Sequence, residues 1–282
     1  MIKVVMDSGG DLPATWVREN DICVVPVNIH FGAKVYRDGV DMESTEFYRK
    51  VAEEEIFPST SQPSPHQFAE VYRRIARRTG ATDIISINLT SQLSGTHASS
   101  LIAAREVADE VVVHPFDSRS GSGGQGWMGL EAARMAAAKV SVDGIMERLQ
   151  VIRDNMNICL VLDNLRFAQL SGRVSSLTAT LSSLLRIKPL VQVRDGMMEV
   201  GERVRTRRRA VDRMIELVKE KIDDRLAMVA VIHADAPEAA HELLQRVQSE
   251  FRIKESFVEK LSIGIAVHLG PGTVGLVAYP VE

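Results

Sequence analysis

The chain has 282 residues, 45% of them hydrophobic and 25% charged, with a formal net charge of −3. This length fits about two domains with a real buried core, and the charge balance excludes a chain-wide electrostatic affinity for nucleic acid or an anionic membrane surface. The two cysteines, Cys23 and Cys159, sit in apolar strand-like runs; they read as buried thiols, with neither disulfide nor metal-ligand spacing.

In chain order, Ile2–Met6 reads as a strand, followed by the turn-forming Asp7-Ser8-Gly9-Gly10-Asp11. Ile22–Val27 is a second strand, residues 29–37 form a hairpin around Gly32, and Ser44–Glu54 is helical. The stretch Phe57-Pro58-Ser59-Thr60-Ser61-Gln62-Pro63 cannot be the interior of a helix. Ser64 then caps a helix, with Pro65 at the first helical position and Gln67 closing a capping box; Gly80 stops it. Asp83–Asn88 is a buried strand, Leu89–Gly95 a loop, Thr96–Ala108 a helix and Val111–Phe116 a strand. A Ser/Gly loop leads to helices near 124–138 and 142–156.

Near residue 157 the pattern restarts. Ile158–Leu162 is a strand and Leu177–Leu185 an apolar helix. Ile187–Arg194 and Met197–Val204 make a hairpin about Asp195-Gly196, a strong two-residue turn signal. A helix over Thr206–Asp223, a strand over Met228–His233 and a helix opening at Asp235-Ala236-Pro237-Glu238 follow. Ile263–His268 reads as a strand ending at the turn Gly270-Pro271-Gly272, and Val274–Tyr279 as the last strand. The fold class is α/β: two layered domains, 1–157 and 158–282, with largely parallel or mixed sheets and a ligand site between or within them. The start MIKVVMDSGG lacks a signal-peptide pattern, and no apolar run approaches the ~20 residues that span a bilayer. The expectation is a cytoplasmic protein without stable membrane insertion.

Two loops join hydroxyl side chains to an expected helix start: Ser59-Thr60-Ser61-Gln62 and Ser91-Gln92-Leu93-Ser94-Gly95-Thr96. A helix N-terminus exposes unpaired N–H groups and about half a positive charge. Hydroxyl donors and a glycine that lets a ligand approach turn such a place into a carboxylate or phosphate site. A single loop of this kind is also explained as a plain helix cap; two of them, read as following strands on one edge of a parallel sheet, favour a ligand site. His268, before a Gly-Pro-Gly turn, is a third candidate, because an imidazole can donate a hydrogen bond to an anion, although a lone histidine is also a common structural residue. His30, His66, His97, His114, His233 and His241 have no comparable setting and receive no role.

Gly121-Ser122-Gly123-Gly124-Gln125-Gly126 matches a dinucleotide-binding pattern but lacks the strand and acid about 20 residues on, and reads instead as a tight strand-to-helix turn. Asp7, Asp11 and Asp117 follow strands and can act as acids or bond their own backbones. The basic run from Arg203 to Arg209 meets a helix N-terminus, where cations oppose the macrodipole. It marks either a surface for phosphate or an acidic partner, or side chains swung into water.

Asp7-Ser8 with Asp11-Leu12-Pro13, Thr60-Ser61-Gln62-Pro63-Ser64, Leu93-Ser94-Gly95-Thr96, Gly172-Arg173, Arg205-Thr206-Arg207 and His268 with Gly270-Pro271-Gly272-Thr273 occur in one order along the chain. In that order and over essentially its whole length the sequence resembles the DegV family. The resemblance implies a non-catalytic subunit that buries a long-chain fatty acid and presents its carboxylate to a separate ATP-dependent fatty acid kinase subunit, whose acyl-phosphate product feeds phospholipid synthesis. It implies Thr60, Ser94, the Gly95 N–H and His268 around the carboxylate, with Ser61 as an accessory. Arg173 and Arg205 would face the kinase or the transferred phosphate. No metal and no cofactor beyond the fatty acid ligand is implied. The competing readings are a stand-alone hydrolase or transferase using Ser94 or Asp117, and a binder of a phosphate-containing metabolite at the same loops.

Overall fold

Strands that read as unbroken apolar runs belong in sheets covered on both faces, and amphipathic runs between them supply the covering helices. The computed structural model, which describes residues 1–53, 57–173 and 187–281, has this order. The first half contains β1 (Ile2–Asp7), α1 (Ala14–Glu19), β2 (Ile22–Val25), β3 (Asn28–Phe31), β4 (Lys34–Arg37), α2 (Ser44–Glu53), β5 (Ser59–Ser61), α3 (Pro65–Thr79), β6 (Asp83–Asn88), α4 (Thr96–Glu106), β7 (Val112–Asp117), α5 (Ser122–Ala137) and α6 (Val142–Asp154). Then come β8 (Asn157–Val161), α7 (Arg166–Ser171), β9 (Lys188–Arg194), β10 (Met197–Val204), α8 (Arg207–Ile222), β11 (Ala227–His233), α9 (Pro237–Glu250), β12 (Ile253–Lys260), α10 (Ile263–Leu269) and β13 (Val274–Pro280). The helix expected over Leu177–Leu185 lies outside the described residues.

The strands form three sheets: a parallel sheet β2-β1-β6-β7, a mixed sheet β10-β9-β8-β13-β11-β12, and a small antiparallel sheet β4-β3-β5. In the mixed sheet β11 and β12 run parallel and the other neighbours antiparallel. Among the described residues no helix is long and apolar enough to cross a membrane.

Local signals held where they were strong. Ser64 and Gln67 form a reciprocal capping box, and Gly80 ends α3 in the left-handed conformation. Asp195 and Gly196 both take positive φ, 48° and 82°, which is what the two-residue turn between β9 and β10 requires.

Four expectations are corrected. Ile263–His268 is not a strand but lies in α10, because its first N–H groups are capped by Asp38, far away in sequence: Ile263 N donates to Oδ1 at 3.2 Å and Gly264 N to Oδ2 at 3.1 Å. Ser59-Thr60-Ser61 is not a loop at a helix start; it is β5, paired with β3 in a separate antiparallel sheet, so it does not share an edge of the parallel sheet with Ser94. Cys159 is buried, with its thiol pushed up to about 12 by desolvation, but Cys23 is only half-buried because β2 is the edge strand of its sheet. The glycine run around Gly123 is no simple turn: Ser122 to Leu130 are all buried in α5, which packs against β1 and β6 on one side and β11 and β13 on the other. A Cβ at Gly129 would lie 2.0 Å from Met6 Sδ, and one at Gly123 would lie 2.9 Å from Ala230 Cβ. The glycines let two sheets close on one helix, and Trp127, Trp16, Phe257 and Tyr279 cluster around it.

Candidate functional site

The loops after β6 and β7, the edge strand β5 and the short helix α10 converge with β8, β9, β10 and β11 on one cavity of about 150 Å³. It brings together Thr60, Ser61, Ser94, Gly95, Arg173 and His268. Arg205 is outside it and exposed, just before α8.

The polar groups are delivered by four separate parts of the chain. Thr60 stands opposite Ile29 on the small sheet, with Ser61 beside it. The Ser61 hydroxyl is engaged by His30 Nε2 at 2.8 Å, which gives His30 a place in the site that its sequence setting did not signal. Gly95 precedes α4, and a Cβ there would meet the Gln62 amide at 2.9 Å; glycine thus lets the loop after β6 close on the end of β5. The Ser94 Oγ lies 2.8 Å from the Thr96 hydroxyl and accepts from Thr96 N at 3.3 Å. When both Thr96 groups donate to it, the Ser94 O–H is left free to donate to an anion. Arg173 follows Gly172, the left-handed residue that ends α7, and its Nη1 donates to the Ser171 carbonyl at 2.6 Å.

His268 occupies the last turn of α10, with Nε2 3.2 Å from the Thr60 hydroxyl. Burial pushes its imidazole down to about 4, and the Arg173 guanidinium adds to the shift, so the ring is neutral at neutral pH. Its Nδ1 is buried and has no hydrogen-bond partner among the described residues. The two tautomers then differ in what they offer a ligand. If Thr60 donates to Nε2, a buried Nδ1–H is left unpaired; if Nε2–H donates to Thr60, the threonine O–H is left free. Only the second arrangement offers a donor to an anion in the cavity, because Nδ1 is closed off from it.

The rest of the lining includes Gln62, Thr90, Ser120 and Ser122 and a set of apolar side chains. Ile158 and Leu160 of β8, Val193 of β9, Met198 of β10, Ile232 of β11 and Ile265 of α10 face the same space. Among the described lining residues none is acidic, and Arg173 is the one guanidinium. Hydroxyls, a neutral imidazole and one cation, together with several aliphatic side chains, suit an amphiphile with an anionic head. The aliphatic residues escaped the sequence reading because they are indistinguishable there from ordinary core strand positions.

The remaining candidates have other tasks. Asp7 is wholly buried and accepts from Gly9 N at 2.9 Å, Leu89 N at 2.7 Å and Gln125 Nε2 at 3.1 Å, which ties β1 to the loop after β6 and to α5. Asp11 accepts from the Ser122 hydroxyl at 2.6 Å and from Ser262 N at 2.8 Å. Asp117 accepts from Ser91 and Arg119 N and fixes the loop after β7. Arg207 donates to the Gly272 carbonyl at 2.7 Å, which docks the start of α8 on the Gly-Pro-Gly turn. Among the described residues no group of His, Cys, Asp and Glu could hold a metal ion.

Comparison with known proteins yields a single family. Residues 1–281 match the family model described as "Uncharacterised protein, DegV family". A DegV domain-containing protein of Listeria innocua is 33% identical over 276 residues, covering 98% of this chain and 97% of that protein. Protein DegV of Bacillus subtilis is 31% identical over 277 residues, covering 98% of each. Among solved structures, a DegV family protein of Thermus thermophilus, described by its fatty acid binding, superposes with a TM-score of 0.92 at 31% identity, over 99% of both chains. The Bacillus subtilis DegV structure, described as a fatty acid binding protein, gives 0.90 at 29% identity, also over 99% of both.

Proposed function

This chain belongs to the DegV family, and we propose that it is a fatty acid-binding protein that buries a long acyl chain and presents the carboxylate to an ATP-dependent partner kinase for acyl-phosphate formation. The observation that carries the reading is the His268–Thr60 pair, whose threonine O–H is free for a carboxylate when Nε2–H donates to it, in a cavity also lined by aliphatic side chains. Ser94 and the Gly95 N–H face the same head group, Ser61 supports it through His30, and Arg173 supplies charge. A carboxylate held by two or three such donors is bound by charge-assisted hydrogen bonds, each stronger than a neutral one, while the acyl chain contributes about 0.8 kcal/mol for each methylene removed from water.

Ser94 acts here as a donor rather than a nucleophile, since its hydroxyl is paired with Thr96 and not with a base. The kinase role rests on the family resemblance and on the exposed cations next to the site: Arg205 lies two residues before Arg207, which is anchored to the turn that follows His268. The boundary near residue 157 belongs to the same proposal, with the parallel sheet framing one domain and the mixed sheet the other. Solvent extraction of the purified protein followed by mass spectrometry tests the ligand class. A stoichiometric long-chain fatty acid is expected; a phosphate-containing metabolite, or no lipid with no uptake of added fatty acid, would overturn the reading.

A further inference from the structure

Helix α10 has seven residues, too few to be stable by itself in water. Its position is set from outside. Asp38, buried just after β4, accepts from Ile263 N and Gly264 N with its two oxygens, and from the Ser8 hydroxyl at 2.9 Å. A carboxylate there satisfies two of the orphan N–H groups of the helix start and opposes its partial positive charge. Asp11 takes the next N–H upstream, that of Ser262. At the other end of the helix His268 meets Thr60.

Asp38 and Thr60 are joined by one small sheet. Asn28 of β3 stands opposite Arg37 of β4 on one side and Ser61 of β5 on the other, and Ile29 stands opposite Tyr36 and Thr60. The β4-β3-β5 sheet therefore grips α10 at both ends, by a carboxylate at the first turn and a hydroxyl at the last. An α-helix turns by about 100° and rises 1.5 Å per residue. A slip of a single residue at the Asp38 end would swing the imidazole out of hydrogen-bond reach of Thr60.

We propose that Asp38 is a positioning residue for the carboxylate site: it fixes the rotation and register of α10 and thereby holds His268 against Thr60. The inference rests on the fatty acid-binding reading for its consequence, but not for its geometry. Asp38→Asn keeps the shape of the side chain and turns an amide donor towards one of the two helix N–H groups. The affinity for cis-parinaric acid, a fluorescent long-chain fatty acid, is expected to fall about tenfold. The imidazole nitrogen resonances of His268, assigned with His268→Gln, are expected to move in the ligand-free protein while circular dichroism stays native. Unchanged affinity, or weakened binding with unmoved imidazole resonances, overturns the proposal. Should Asp38→Asn fail to fold, Ser8→Ala removes one donor to the same carboxylate and is read in the same two ways, with a loss of roughly threefold. Wild-type protein that ignores cis-parinaric acid while its His268 resonances still follow Asp38 would remove the fatty acid reading and leave the positioning role standing.

Discussion

His268 Nε2 lies 3.2 Å from the Thr60 hydroxyl although 208 residues separate the two in the chain. One comes from a short capped helix and the other from an edge strand, and the cavity behind them is lined from the mixed sheet. On the proposed fatty acid reading the anionic head group sits at this contact, and the titration of the imidazole reports on it.

The imidazole of His268 should titrate near 4 in ligand-free protein, well below the ordinary 6.5. Between these values the unfolded chain binds a proton that the native protein refuses, so this group lowers stability as pH falls from about 6.5 towards 4. Arg173→Ala should move the titration upward, because the guanidinium contributes to the depression. A bound carboxylate should move it upward as well. An NMR titration of the histidine resonances with and without cis-parinaric acid checks all three; a ring that titrates normally in the wild type would remove the buried, neutral imidazole from the site.

Ser94→Ala should weaken fatty acid binding without unfolding the protein. A hydrogen bond to a charged group contributes about 1.5–3 kcal/mol, or roughly 10- to 150-fold in affinity. Calorimetric titration of both proteins measures the difference, and equal affinities would take Ser94 out of the head-group set.

Arg205→Ala should leave fatty acid affinity unchanged, since the side chain is exposed and outside the cavity, while slowing acyl-phosphate formation with an added fatty acid kinase subunit. Binding by fluorescence and phosphorylation by radiolabelled ATP separate the two effects. Weaker binding would show that Arg205 belongs to the ligand site.

Burial raises the Asp11 carboxyl to about 8, against the donated bonds from Ser122 and Ser262, which lower it. The native protein thus holds a proton there that the unfolded chain releases above the ordinary 3.8. Stability contributed by this group should therefore fall as pH rises from about 4 to about 8, the opposite slope to that of His268. Asp11→Asn, neutral at every pH, should flatten this fall in urea melts recorded across the range; an identical slope in wild type and variant would show that another group carries it.

Gly126→Ala should be destabilising despite the better helix propensity of alanine. The added Cβ would come within 2.5 Å of the Asp11 backbone oxygen, and backbone cannot swing away as a side-chain tip can. The propensity gain is at most about 1 kcal/mol and the overpacking cost about 1–3 kcal/mol, so the clash wins. Thermal unfolding measures the sign, and a raised midpoint would contradict the tight packing of α5.

Sequence patterns were enough for the parts governed by neighbours in the chain. The Ser64–Gln67 capping box, the stop at Gly80, the turn at Asp195-Gly196 and most strand and helix positions depend on residues within four or five places, so their spacing is a sufficient signal. Thr60, Ser94, Gly95 and His268 were legible as candidates for the same reason, each in its own short pattern, whereas Arg173 entered only through the family resemblance. Tertiary structure alone decided how these meet. Ile263–His268 reads as a strand because a short branched run satisfies either period; it is a helix whose first N–H groups are bonded by a distant carboxylate, Asp38, while its own N-cap residue, Ser262, makes no side-chain cap bond. The glycines around Gly123 resemble a phosphate loop until two sheets close on the helix that carries them. Thr60 became a strand residue through pairing with β3, and His30 joined the site through the same pairing. Caps and turns are local energies written in adjacent residues, whereas the depth of a cavity and the neutral imidazole inside it arise from burial, which is a property of the whole packed chain.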